Sequence, residues 1–432
     1  MEKIKVAFYH HNGGFPNVDC KVLDEGNPGI GGSEYALLTV SQKLFVRSNN
    51  LEITVYAQAV NDLLPEMNYI QVNDLLDAIR LSEESGIQIL VFRHGVYPAL
   101  LKKLGTMNIN LKLVVWCQNF VPVHDLKVYA NCRCIKRLIC VGREQLDIYR
   151  DHKAFLKSDY IYNAIPAKAI ENAKASVLGF KTRKPLVTYI GSLVPAKSFD
   201  VLAKAWPRVL KVIPDAELHV IGSGKLYNRN ARLGKFGIAE ESYENSFIKY
   251  ISDKDRLIPS VKFHGILGQE KNEILCKTKV GVPNPAGYTE TYGFTAVEMQ
   301  MLGAIITTKR CPGYLDTAFE NAILYKHPRK LAKSIITLLK REDNNYSKMI
   351  DFIEKKFSLE YIILEWEELF QIKIWTNERL HPLSLINPSF EMKWLKEILR
   401  KIKKIFSFGY ILIPSYLYVR RFLVKLQIKE DL

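Results

Sequence analysis

The sequence predicts an α/β protein of two doubly wound, parallel-sheet domains facing across a cleft, followed by a basic amphipathic helical tail. Three observations carry that expectation. A strand–helix rhythm runs through the first half of the 432 residues, a second such rhythm starts at Pro185, and a lysine-rich amphipathic stretch closes the chain. A chain of this length exceeds one ordinary hydrophobic core, so two domains and an appendage are expected.

In the first half, short apolar runs rich in β-branched and aromatic residues mark strands at 3–10, 51–57, 86–92, 111–116, 138–141 and 159–162. Helical periodicity lies between them, including 33–46 and 75–84, which is the pattern of βαβ units. Residues 1–166 are therefore assigned to an N-terminal doubly wound domain and 167–184 to a linker holding a short helix. In the second half, strands are expected at 185–190, 216–221, 261–263, 280–282 and 304–308, with an amphipathic helix at 199–212. This gives a second doubly wound domain over 185–356, a helix at 357–378 returning to the first domain, and a tail at 379–432.

The formal charge of +16 is unevenly placed, with ten Lys or Arg against three Asp or Glu in 393–432. Within 393–406, Trp394, Leu395, Ile398, Leu399, Ile402, Ile405 and Phe406 recur at helical spacing. Lys396, Arg400, Lys401, Lys403 and Lys404 fill much of the remainder. Such a helix suits an anionic membrane surface, the alternative being a helix packed on the first domain with its lysines solvated. The apolar run 406–419 is shorter than the ~20 residues a membrane span needs. No nucleic-acid motif accompanies the charge, so nucleic acid is not an expected partner. The seven cysteines are scattered, and Cys132-Arg133-Cys134 has no second pair at zinc-site spacing, so no metal site is expected. No signal-peptide pattern precedes the first strand, which points to a cytosolic body, peripheral on the inner face of the membrane.

The candidate chemistry concentrates between Pro283 and Glu298. Glu290 falls in a loop at a strand's carboxyl end, where open α/β sheets bind ligands. Glu298 follows within a helix expected over 293–302, with backbone N–H groups around Gly293 and Phe294 free to hold a phosphate. The segment combines an anion cradle with two flanking hydroxyl acceptors, which is what a sugar nucleotide requires. Gly31 and Gly32 lie between a strand and an amphipathic helix, where missing Cβ atoms allow backbone amides close to a phosphate. Lys197, six residues past Gly191, can place an ammonium on developing phosphate charge.

With these segments in view, residues 3–370 resemble the family-4 retaining glycosyltransferases, whose GT-B fold faces two Rossmann-like domains. Glu290 and Glu298 match the family's Glu-x7-Glu pair. The resemblance implies that the first contacts donor-sugar hydroxyls and the second the nucleotide ribose. Gly293-Phe294-Thr295 match the backbone segment at the distal phosphate. The stretch from Val187 through Gly191 to Lys197 resembles the strand and loop carrying a phosphate-binding basic pair. Gly222-Ser223-Gly224 resembles the glycine turn beneath the nucleotide, and Pro28 to Glu34 the loop that closes over the pyrophosphate. Ile161 to Pro166 resembles the end of the family's first domain. The implied activity is retaining transfer from a nucleotide-diphosphate sugar to a glycan or lipid-linked acceptor, with no cofactor or metal. The implied catalytic residues are Glu290 and Lys197. The implied donor-binding residues are Gly31, Gly32, Gly191, Ser192, Gly222, Gly293, Phe294, Thr295 and Glu298.

Two positions depart from the pattern. Ser192 stands where the family has arginine, with Lys225 or Arg310 as possible substitutes. Gln118-Asn119 stands where the first domain has histidine, with His94 and His124 nearby. Other functions compatible with the chain are a weak or inactive relative serving as a partner subunit, or an epimerase or hydrolase of sugar nucleotides.

Overall fold

A computed structural model describes residues 3–12, 20–21, 23–59, 67–95, 97–104, 106–226, 230–254, 256–288, 290–376, 378–386, 392–406 and 409–420. The first lobe holds seven strands: β1 (Ile4–His10), β2 (Leu51–Ala57), β3 (Asn68–Gln71), β4 (Ile89–Arg93), β5 (Lys112–Cys117), β6 (Ile135–Cys140) and β7 (Ser158–Tyr160). Every pairing is parallel, in the order β3-β2-β1-β4-β5-β6-β7. Helices cover both faces, so β4 and β5 are buried along almost their whole length and read as continuous apolar runs.

The second lobe contains β8 (Leu186–Ile190), β9 (Glu217–Ile221), a small antiparallel pair β10 (Ser252–Asp253) and β11 (Arg256–Leu257), then β12 (Val261–Phe263), β13 (Val280–Gly281), β14 (Ile305–Lys309) and β15 (Ile323–Tyr325). Its main sheet runs β12-β9-β8-β13-β14-β15, again all parallel. Both sheets thus reverse strand order once, between β1 and β4 and between β8 and β13. Carboxyl ends at such switch points form crevices.

Two expected strands are displaced. The strand expected at 86–92 begins at Ile89, because Gly86 adopts a φ of +67° after the helix Leu75–Glu84 and belongs to its turn. The one expected at 138–141 begins at Ile135. Its early residues Lys136 and Arg137 interrupt the apolar run with charge. Arg137 is instead buried, giving a 2.8 Å hydrogen bond to the Glu378 carbonyl and another to that of Lys373.

After the second lobe, the helix Leu359–Glu368 returns to the first. Trp366 packs edge-on against Trp116 with ring centroids 4.7 Å apart, and Glu360 meets Lys43 at 2.6 Å and Arg47 at 3.0 Å. His381 then bridges Asp159 at 3.1 Å and Glu365 at 3.0 Å. Burial opposes its charge, but the two carboxylates prevail and raise the imidazole to about 9.

The tail corrects an expectation. The helix Lys393–Ile405 does not offer its whole basic face to solvent. Lys396 and Lys403 are buried against the first lobe, where Lys396 pairs with Asp147 and Lys403 meets Asp151 at 2.8 Å. Glu397 reaches Arg150 at 3.1 Å and also pairs with Arg400, which lowers its carboxyl to about 2, with the Arg400 hydrogen bond the main cause. The apolar stripe is what faces outward: Trp394 is 61% exposed, Ile398 46% and Ile405 76%. Among the described residues, no helix is long and apolar enough to cross a membrane. The part of the tail beyond Arg420 lies outside the described residues.

Candidate active site

A cavity of about 540 Å³ lies between the lobes, at the carboxyl ends of the strands flanking both switch points. Arg93 and His94 come from the end of β4, and Gln118 and Asn119 from the end of β5. Gly191 and Ser192 follow β8, Gly222 follows β9, and Asn284 with 290–298 follows β13. Every residue singled out from the sequence for catalysis or donor binding lines this one cavity: Glu290, Lys197, Gly31, Gly32, Gly191, Ser192, Gly222, Gly293, Phe294, Thr295 and Glu298.

Two helices begin here. The helix Gly32–Arg47 starts from Gly31, and the helix Phe294–Met301 from Gly293. Their first turns touch across the lobes. A Cβ on Gly32 would lie 2.8 Å from the Phe294 ring, so this position excludes any side chain while the lobes stay together. Gly293 has a φ of +82°, and a Cβ there would meet the Tyr314 ring at 2.6 Å. First-turn amides and the helix dipoles make both starts attractive to an anion, and at the first of them the Glu34 carboxylate already accepts from its own amide.

The charged groups are already paired. Lys197 forms an ion pair with Glu290, whose Oε1 also accepts from Asn284 Nδ2 at 2.8 Å. Burial alone would raise the Glu290 carboxyl. The Lys197 ammonium and the Asn284 amide outweigh it and hold the group below the usual carboxylate range. Glu298 pairs with Lys271 at 3.2 Å. In the first lobe, Arg93 holds both the Ser33 hydroxyl and the Glu34 carboxylate. Burial also works to raise Glu34, and Arg93 brings it below the usual range.

The two departures resolve differently from expectation. Ser192 is buried, and its hydroxyl donates to the Ser223 carbonyl at 3.3 Å. Neither Lys225 nor Arg310 lines the cavity; among the described residues, its Lys and Arg cations are Arg93, Lys197 and Lys271. Gln118 forms a reciprocal amide pair with Asn163, at 2.7 and 3.0 Å. Its carbonyl accepts from Thr291 at 2.5 Å, while Tyr292 gives its hydroxyl to the Asn163 carbonyl at 2.7 Å. Gln118 is therefore part of a seam between the lobes. His124 is 80% exposed and lies outside the cavity, whereas His94 lines it, bonded to the Tyr129 hydroxyl at 3.1 Å. Burial lowers the His94 imidazole, against the opposing pull of Asp125.

Residues 171–356 match the family Glycosyl transferases group 1. The second lobe is a glycosyl transferases group 1 domain. Over 330 residues the chain is 24% identical to an uncharacterized glycosyltransferase of Haemophilus influenzae, covering 73% of this chain and 85% of that relative. Sucrose-phosphate synthase from Thermosynechococcus elongatus superposes with a TM-score of 0.62 at 15% identity, over 85% of this chain and 98% of that one. A mutant of S. aureus TarM, in complex with fondaparinux, alpha-GlcNAc-glycerol and UDP, gives a TM-score of 0.51 at 19% identity, over 66% of this chain. The chain spans just over half (55%) of TarM's length. The two lobes have the GT-B arrangement. Within it, the group 1 domain supplies Lys197, Glu290 and Glu298, and the first lobe supplies the Gly31-Gly32 loop.

Proposed function

We propose that the protein moves a sugar from a nucleoside-diphosphate sugar to a glycan or lipid-linked acceptor, with retention at the anomeric carbon. The observation that carries this reading is the contact between the two helix starts, at Gly32 and Phe294, with Glu290 and Glu298 lining the same cavity. A diphosphate between those starts meets two sets of amides. Glu298 then accepts from the ribose and Glu290 from the sugar. Lys197 has three N–H donors, so it can keep Glu290 and still give to a phosphate oxygen as the bond to the sugar breaks. The leaving phosphate takes the acceptor proton on the same face, and the protein contributes position and charge. UDP in the TarM complex supports a uridine donor as the first to try.

Calorimetric titration with UDP, GDP and ADP sugars tests this directly. One of them should bind, and Glu298→Ala should weaken that binding about tenfold, the weight of a ribose hydrogen bond to a charged group. Equal affinity in the variant would remove the ribose role, and no binding by any of the three would remove the donor role.

The acceptor side of the proposal rests on the tail. The helix Lys393–Ile405 is fastened to the first lobe by ion pairs and turns Trp394, Ile398, Ile402 and Ile405 outward, flanked by exposed Lys401 and Lys404. That surface suits insertion into the headgroup region of the cytoplasmic membrane's inner face, beside a lipid-linked acceptor. Vesicles containing anionic lipid should sediment the wild-type protein, and Ile398→Glu with Ile402→Glu should leave it in the supernatant. Co-sedimentation of the double variant at the wild-type level would refute the membrane reading.

A further inference from the structure

Lys271 belongs to none of the motifs described above, yet it occupies a junction between the lobes. It opens the short helix Lys271–Leu275 and is 5% exposed. Its Nζ donates to the Asn27 carbonyl of the first lobe at 3.1 Å and pairs with Glu298 Oε1 of the second at 3.2 Å. Asn27 in turn builds the loop that leads into Gly31. Its Oδ1 accepts from the Gly29 and Ile30 amides at 2.9 Å each, and its Nδ2 donates to the Ile30 carbonyl at 3.0 Å. One ammonium therefore ties the carboxylate assigned to the ribose to the loop assigned to the pyrophosphate.

Burying an ammonium is costly unless it is paired and hydrogen-bonded, so a purely mechanical tie between lobes would be met more cheaply by a neutral side chain. A cation is suited to a different task. It commits one oxygen of Glu298 and so fixes the rotamer in which the other can accept from a ribose. It also adds positive charge to a site where Ser192 supplies none.

We propose that Lys271 is a positioning residue that couples ribose recognition by Glu298 to closure of the 27–31 loop over the donor. The inference rests on the donor reading given under Proposed function. It implies that occupancy of the ribose site is felt by the first lobe through two hydrogen bonds, without contact between the nucleotide base and that lobe.

Hydrogen–deuterium exchange of the full chain, with and without saturating UDP, GDP or ADP, provides the test, alongside calorimetric affinities. In the wild type, the nucleotide that binds should slow exchange across 26–34. Lys271→Met should weaken that nucleotide about tenfold, as expected for a lost charge-assisted hydrogen bond, and abolish the slowing even at saturation. Lys271→Arg should recover part of both. Glu298→Gln offers a second route should Lys271→Met fold poorly: it keeps Lys271 but replaces its carboxylate partner with a neutral amide, and should also uncouple the loop. Wild-type protection of 26–34 in saturated, folded Lys271→Met or Glu298→Gln would overturn the coupling while leaving the donor assignment intact. Absence of nucleotide binding by the wild type would overturn both.

Discussion

Replacing Glu290 with Ala should lower sugar transfer by about 10²–10³-fold, the range typical of removing one preorganised electrostatic contact at a reacting centre. Nucleoside-diphosphate affinity should change by no more than about threefold. The asymmetry follows from the pairing. Glu290 is 8% exposed, and its Oε1 sits between Lys197 and Asn284 Nδ2. Removing the carboxylate deletes the acceptor proposed for the sugar hydroxyls. It also releases Lys197 from this ion pair, which should strengthen its hold on the phosphates and compensate in binding but not in turnover. Transfer assays paired with calorimetry separate the two effects. Undiminished turnover would exclude Glu290 from the reaction, and a large loss of nucleotide affinity would move it from the sugar to the phosphates.

Why Glu290 was legible and Lys271 was not has a physical basis. Glu290, Gly293 and Glu298 are local: nine residues of chain carry the loop, the helix start and both carboxylates, so spacing alone brings them together. The strands were legible for a related reason, since parallel strands buried on both faces are uninterrupted apolar runs. The edge strands β3 and β15 escaped notice because they are short and partly exposed, as Asn68 and Gln71 show. Lys271 meets Asn27 across 244 positions, and no local pattern marks such a contact. The orientation of the tail was similarly hidden. Helical spacing separates its apolar stripe from its basic face, but Asp147 and Asp151, more than 240 residues earlier, decide which side is covered.

That dependence leads to the second large effect. Asp151→Ala should release the tail from the first lobe. Asp151 is fully buried and accepts from Lys403 Nζ at 2.8 Å, Ser415 Oγ at 2.9 Å and the Tyr416 amide at 2.9 Å, all of them tail groups. Removing it strands a buried ammonium, and breaking one side of such a pair costs about 3–5 kcal/mol. The tail's alternative is solvent, so docking fails before the lobes unfold. Limited proteolysis should cut the variant within 392–420 at least tenfold faster than the wild type. Lys401→Ala, at an exposed position, should leave the rate unchanged. Equal protection of the tail in Asp151→Ala would mean that apolar packing, and not charge, holds it.

The central claim is that a diphosphate lies between the Gly31–Ser33 and Gly293–Thr295 helix starts, with carboxylates reading hydroxyls on either side. A crystal structure with bound UDP tests it most directly. The expected result places the β-phosphate within hydrogen-bonding distance of the Phe294 or Thr295 amide and of Lys197 Nζ, with the ribose on Glu298. Nucleotide bound elsewhere, or Glu290 and Glu298 both turned away from it, would contradict the claim.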